Sequence, residues 1–264
     1  HHLYLLDGAG APKRRFALFG LPKKAVDFSH GDWRYDLGLP NFAVAPGGSW
    51  VATSGDLGLA VWNADGTERW AHEWWASDRT PMRLLALDDT ALIGYANDTV
   101  SGFSAADGST LWTIKIPDVG WFGGGAVSAD HKTAVIWSDS EGGRLFVIRG
   151  GALVNTIPAA AEEVSVSADG TRIAVTAGRK LTVHDAAGGL LWTFTGDDFL
   201  RRPRISPDGK RVAVGSELGT LTVLSVAGAV LAGCDLGALP VPAWLPGGDL
   251  LVATWMGTLV RYDR

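Results

Sequence analysis

Side chains able to do chemistry are thinly spread along this chain. Acidic residues recur at Asp56, Asp98, Asp139, Glu141 and Glu217, positions that would ring a channel mouth and collect a cation. Calcium takes roughly six to eight oxygen ligands at close range. Single carboxylates on separate loops do not converge to that number, so solvated turn acids are expected and no metal site. The six histidines, His1, His2, His30, His72, His131 and His184, lack metal-ligand spacing. His72 beside Glu73 is the one pairing with an acid that merits inspection as a site. The single cysteine, Cys234, excludes an internal disulfide and a cysteine-based zinc or iron-sulfur centre. It ends Leu231-Ala232-Gly233-Cys234, which spells a lipoprotein cleavage box but lies inside a repeat near the C-terminus. No Gly-x-Ser-x-Gly elbow, phosphate loop or dinucleotide fingerprint is present. Gly123-Gly124-Gly125 precedes a strand, so it cannot seat an anion on a helix N-terminus. No catalytic residue and no cofactor are expected.

Recognition chemistry is better represented. Aromatic residues stand among charges in three stretches: Glu73-Trp74-Trp75-Ala76-Ser77-Asp78-Arg79, Asp118-Val119-Gly120-Trp121-Phe122 and Asp197-Asp198-Phe199-Leu200-Arg201-Arg202. Phe28 to Asp36 has the same character. Trp, Tyr and Arg dominate binding hot spots, which makes Trp74, Trp75, Asp78, Arg79, Trp121, Phe122, Asp198, Phe199, Arg201 and Arg202 candidate partner contacts. The competing reading wedges the same rings between neighbouring sheets as core.

The elements that position these residues are repeats. A turn of the form Ser/Ala-Pro/Ala-Asp/Gly-Gly recurs at Ala45-Pro46-Gly47-Gly48, Ser128-Ala129-Asp130-His131, Ser167-Ala168-Asp169-Gly170, Ser206-Pro207-Asp208-Gly209 and Leu245-Pro246-Gly247-Gly248, with Leu87-Asp88-Asp89-Thr90 in the remaining slot. The spacing is about 39 to 42 residues. A second turn follows about 20 residues later, and a tryptophan stands four residues past its first glycine in Gly66 to Trp70, Gly108 to Trp112 and Gly188 to Trp192. Asp-Gly turns readily adopt the positive φ that tight hairpins need. Between turns lie short runs of Val, Ile, Leu and aromatics, four per repeat, with no helical periodicity. Four strands every forty residues is the period of a β-propeller blade.

The fold expected is therefore all-β: a propeller of four-stranded antiparallel blades over residues 1–264. First strands start near Phe42, Met82, Gly124, Glu163, Pro203 and Val241, giving six blades, with five full ones over 42–240 and a last one at 241–264. Residues 1–20 read as strands that complete the last blade and close the ring, and 21–41 as a long loop or irregular blade. Seven blades is the alternative, if 20–41 form a poor blade or the natural chain extends upstream. In such a meander the Asp-Gly turns share one end of each blade, while the second connections and blade-to-blade loops share the other. Trp70, Trp112 and Trp192 recur at one repeat position and read as packing between blades.

Ser206-Pro207-Asp208-Gly209-Lys210-Arg211-Val212-Ala213-Val214 resembles the repeat core of WD-repeat-like propellers of bacterial periplasmic Tol-type proteins. Asp107-Gly108 to Trp112 resembles the tryptophan-docking motif of pyrroloquinoline-quinone-type propellers. The resemblance covers the chain from Phe42 onward. No blade carries the Trp-Asp pair of true WD repeats, Trp62-Asn63 being the nearest. The resemblance implies the fold and an extracytoplasmic setting.

Composition narrows the functional classes. Apolar residues make up 47% and charged residues 19%, with 35 glycines, which describes a folded, turn-rich chain. The net charge of −5 and scattered basic residues offer no broad basic face, so nucleic acid is not an expected partner. No apolar run reaches the roughly 18 residues of a membrane-spanning helix. The reading that results is a non-catalytic scaffold binding a protein or peptide partner through its blade-to-blade loops. The alternative is a small-molecule-binding or enzymatic propeller, such as a quinone-type dehydrogenase, hydrolase or lyase, with its site at the central channel. The first strands that would line the channel are mostly apolar or small, Arg83, Glu163, Arg202 and Arg204 excepted.

Overall fold

Every Ser-x-Asp-Gly stretch folds back on itself through its own side chains, and this local chemistry sets where strands begin. The computed structural model describes residues 2–6, 12–17, 41–55, 58–73, 82–138, 142–254 and 256–262. Ser167 Oγ donates to Asp169 Oδ1 at 2.6 Å, the same oxygen accepts from the Thr171 amide and hydroxyl, and the Arg172 amide donates to Ser167 Oγ at 2.9 Å. Ser128–Asp130 and Ser206–Asp208 repeat the pattern. Gly170 and Gly209 take positive φ at the turn's fourth residue, and His131 takes φ 60° in the same slot.

The chain divides into two compact units, His1–Asp118 and Val119–Arg264. In the first, β1 (His2–Leu6) and β2 (Pro12–Ala17) form an antiparallel pair. Two four-stranded meanders follow: β3 (Asn41–Val44), β4 (Trp50–Gly55), β5 (Gly58–Asn63) and β6 (Glu68–Glu73), then β7 (Arg83–Ala86), β8 (Ala91–Ala96), β9 (Thr99–Ser104) and β10 (Thr110–Lys115).

The second unit holds three four-stranded meanders and a three-stranded one. These are β11 (Phe122–Val127), β12 (Thr133–Ser138), β13 (Arg144–Arg149) and β14 (Ala152–Pro158); β15 (Glu163–Val166), β16 (Arg172–Ala177), β17 (Lys180–Asp185) and β18 (Leu190–Thr195); β19 (Leu200–Ile205), β20 (Arg211–Ser216), β21 (Thr220–Ser225) and β22 (Val230–Asp235); and β23 (Pro240–Trp244), β24 (Leu250–Thr254) and β25 (Leu259–Tyr262). Six sheets of three or four antiparallel strands, with no helix among the described residues, place the chain in the β-propeller class. None of the described residues forms a helix long and apolar enough to cross a membrane.

Sheets pack face to face, with the core between them. In the second unit Val135, Leu145 and Ile157 meet Val164 and Ile173 of the next sheet, and Leu181 and Val183 meet Val212 and Leu224 of the one after. Burial falls outward across each sheet: β12 is buried along its whole length, while β18 and β22 are largely exposed. The recurrent tryptophan ties consecutive sheets together. Trp70 Nε1 donates to the Ala105 carbonyl at 3.1 Å and Trp192 Nε1 to the Val226 carbonyl at 2.7 Å, and Asn155 takes the same role toward Ala186. A Cβ on Gly108 would stand 2.8 Å from the Trp70 ring. The Asp-Gly glycine thus serves twice, for positive φ and as the seat of the preceding sheet's tryptophan.

The tight turns bind neighbouring sheets as well. Arg149 donates to the Gly170 carbonyl, Arg172 to that of Gly209 and Arg211 to that of Gly248, all within 3.0 Å.

Candidate functional site

First strands of consecutive sheets lie side by side in the second unit, β11 next to β15, β15 next to β19 and β19 next to β23. A cavity of about 400 Å³ opens over three of them, lined by Ala126 of β11, Trp137 of β12, Glu163 and Ser165 of β15, and Arg202 and Arg204 of β19.

Glycines make this cavity possible. Trp137 lies across the preceding strand so closely that a Cβ on Gly123 would stand 2.2 Å from its Nε1, and one on Gly124 2.1 Å from its ring edge. Gly123 and Gly124 therefore leave room for the indole to lie against the backbone. Trp137 is buried, yet its ring still forms part of the cavity wall.

Register produces the polar side of the cavity. Pairing of β19 with β20 slips between Arg201 and Arg204, and Arg202 is forced to φ 56°, a left-handed conformation that costs a non-glycine residue about 1 kcal/mol or more. The Arg202 amide donates to Glu163 Oε2 at 2.9 Å and its guanidinium stands 3.7 Å from Glu163 Oε1. The Ile205 amide donates to Ser165 Oγ at 3.2 Å, a second side-chain tie between β15 and β19. Arg201 pairs with Glu162 and, at 2.8 Å, with Glu217. Arg204 differs: its Nη1 donates to the Pro203 carbonyl at 2.8 Å, and no carboxylate of the described residues lies within ion-pairing distance. Burial holds its guanidinium below the ordinary arginine range, opposed by Glu163 and assisted by Arg202.

The loop-bearing end of the same unit carries the remaining candidates. Trp121 is 69% exposed and Phe199 47% exposed. Each stands just before a first strand, so both lie at the same end of their sheets. The Arg201 guanidinium sits 5.9 Å from the centre of the Phe199 ring. Asp198 Oδ2 accepts from the Leu218 amide at 2.8 Å and the Glu217 amide donates to the Phe199 carbonyl at 3.0 Å, which clamps the loop after β18 onto the turn after β20. Phe122 is buried, with its ring edge-on to Phe146 at 6.1 Å, so packing within the sheet engages it. Trp74, Trp75, Asp78 and Arg79 lie outside the described residues, as do Asp56, Asp139, Glu141, His30 and the segment 18–40.

His72 Nε2 meets the Gly108 carbonyl at 2.9 Å and its ring lies 5.1 Å from Trp70, a packing role. His184 is buried at the end of β17, where desolvation lowers its pKa. No cluster of three or more His, Cys, Asp or Glu able to hold a metal occurs among the described residues. Leu231 to Cys234 belongs to β22, and Cys234 Sγ lies 3.1 Å from the Tyr262 hydroxyl. Leu218, 76% exposed beside Phe199's loop, and Glu162 were not singled out by sequence reasoning. Neither belongs to a motif, and each gains its place only once β15, β19 and β20 are adjacent.

No protein-family model matches the chain, and no curated protein matches it. Among solved structures it is similar to the crystal structure of BamB from Moraxella catarrhalis, with a TM-score of 0.51 and 16% identity over 84% of this chain and 82% of that chain. At that identity the likeness bears on fold, and it supports the β-propeller class.

Proposed function

We propose that the protein is a non-catalytic interaction module that binds a protein or peptide partner through the blade-to-blade loops of its second unit, centred on Trp121, Phe199, Arg201 and Arg202. One observation carries this reading: among the described residues of that unit, Trp121 and Phe199 are the exposed aromatic rings, and both stand at the end away from the tight turns. An exposed indole and phenyl ring offer large apolar area to a partner at little conformational cost. Arg201 is held in advance by Glu162 and Glu217, and Asp198 fixes the loop beneath Phe199, so less ordering remains to be done on binding. In the first unit, Trp74, Trp75, Asp78 and Arg79 are proposed as contacts of the same kind. The absence of convergent nucleophiles, bases or metal ligands in the motifs supports a binding role over an enzymatic one.

The test begins with a photo-crosslinking residue at position 121, used in the source cell to identify a partner. Affinity of the purified partner is then measured for the wild type and for Trp121→Ala combined with Phe199→Ala. Loss of two hot-spot rings should weaken binding by roughly tenfold or more, with an unchanged melting temperature. Undiminished affinity of the double variant would overturn the reading.

A further inference from the structure

We infer that the cavity over β11, β15 and β19 is a binding site for a monocarboxylate carried on an apolar body, with Arg204 as its anion-binding residue. Repeat arithmetic shows how unusual Arg204 is. Counting back two residues from the first residue of each first turn gives Ala43, Leu85, Ala126, Ser165, Arg204 and Ala243. Five repeats place a small or aliphatic residue there and one places the longest cation available. Packing therefore does not demand an arginine at this position. A guanidinium in a partly desolvated cavity, satisfied by a single backbone carbonyl, keeps most of its donor fork available, and that fork matches a carboxylate bidentately.

Charge limits the ligand to one negative charge. Glu162 is paired with Arg201 and Glu163 is engaged by the amide and side chain of Arg202, which leaves Arg204 as the lining cation with no carboxylate of the described residues at ion-pairing distance. The four charged lining residues, Glu162, Glu163, Arg202 and Arg204, sum to zero, so a dianion such as phosphate would meet repulsion from two carboxylates without a second free cation. Beyond the charged residues and Ser165, whose hydroxyl already accepts from the Ile205 amide, the wall is Gly125, Ala126, the valines of β11 and β15, and the Trp137 ring, against which an aliphatic or aromatic body packs. The strained Arg202 stands at the rim, where such backbone outliers concentrate. This site adjoins the loop surface proposed above through Arg202 at its rim, but its anion-binding residue, Arg204, is not part of that surface and the inference does not depend on it.

The source of the carboxylate, a free small acid or the C-terminus of a peptide, is decided by the probes. Calorimetric titration of the full chain would use benzoate, N-acetyl-glycyl-phenylalanine, the amidated form of that dipeptide, and inorganic phosphate. Saturable binding is expected for benzoate, for the dipeptide acid, or for both, and none for the amide or phosphate. Arg204→Ala, the residue that three other repeats already carry, should fold with an unchanged circular dichroism spectrum and lose affinity by roughly 10- to 100-fold, the worth of a hydrogen bond to a charged group. Ala126→Phe, which fills the cavity and leaves Arg204 in place, should also abolish binding. Binding of benzoate alone identifies a small-acid site, and binding of the dipeptide acid alone a C-terminus site. The inference is overturned if neither carboxylate binds, if phosphate or the amide binds equally well, or if Arg204→Ala binds like the wild type.

Discussion

The two ends of the sheets in the second unit are built on different rules. At the tight-turn end, position after position is reused: Ser128, Ser167 and Ser206 each cap an Asp, and Arg149, Arg172 and Arg211 each reach a glycine carbonyl of the next sheet. At the opposite end almost nothing repeats. The residues before the first strands include exposed Trp121 and Phe199 but no common motif, and the second connections carry Arg179, Glu217 and Leu218 without a common pattern. Repetition marks residues whose partner is another part of the same chain, since every sheet must meet its neighbour in the same way. Departure from the repeat marks residues freed from that duty, and the loop end and Arg204 are where departures gather.

This contrast is broken most severely by removing a docking tryptophan. Trp192→Ala deletes an indole packed between sheets together with its 2.7 Å bond to Val226, and should cost about 3 kcal/mol, read as a fall in the denaturant midpoint. Gly228→Ala attacks the same joint from the other side. A Cβ there would meet the Trp192 ring at 3.0 Å on a residue with φ 87°, for an expected loss of roughly 1–3 kcal/mol. Stability equal to wild type in either variant would mean that the repeated end is not what holds consecutive sheets together.

The same contrast explains what could be read from sequence. Ser-x-Asp-Gly turns were legible because their bonds run between residues two and five apart, and a tryptophan four past a glycine announces itself by recurrence. Strand starts were less secure where register slips. Glycines pushed one expected start to Gly124 against the observed Phe122, and the Arg201–Arg204 bulge pushed another to Pro203 against Leu200. The cavity was only half legible. Glu163, Arg202 and Arg204 stood out as polar exceptions on first strands, but their assembly with Trp137 joins three repeats, a relation that no local spacing encodes. Phe122 and Trp121 are adjacent in sequence and of like type, yet one is core and one is exposed. Phe122 opens β11 and Trp121 stands in the loop before it, a boundary that the run of aromatics and glycines does not mark in the sequence.

Acid sharpens the distinction at smaller scale. Hydrogen bonds from Ser167, and then from Thr171, pull Asp169 down to about 2, and Asp130 and Asp208 shift the same way through Ser128 and Ser206. A carboxylate whose folded pKa lies below its unfolded value of about 4 contributes stability that is complete above that value and lost as pH falls toward 2. Because Asp169 is solvent-exposed, screening reduces its share to about 1 kcal/mol or less. Asp169→Asn should therefore show a flatter melting-temperature profile than wild type between pH 5 and pH 2, and identical profiles would detach the turn acids from stability.

The smallest effect on stability is expected where function is proposed. Trp121 is the larger side chain by far when set beside any turn acid, yet at 69% exposure its removal uncovers little that water does not already reach. Trp121→Ala should change unfolding free energy by no more than about 0.5 kcal/mol, as for other surface substitutions. Calorimetry checks it directly. A loss of about 2 kcal/mol or more would show that Trp121 packs like Trp192, and the loop end would then be an irregular copy of the turn end instead of a surface kept free for a partner.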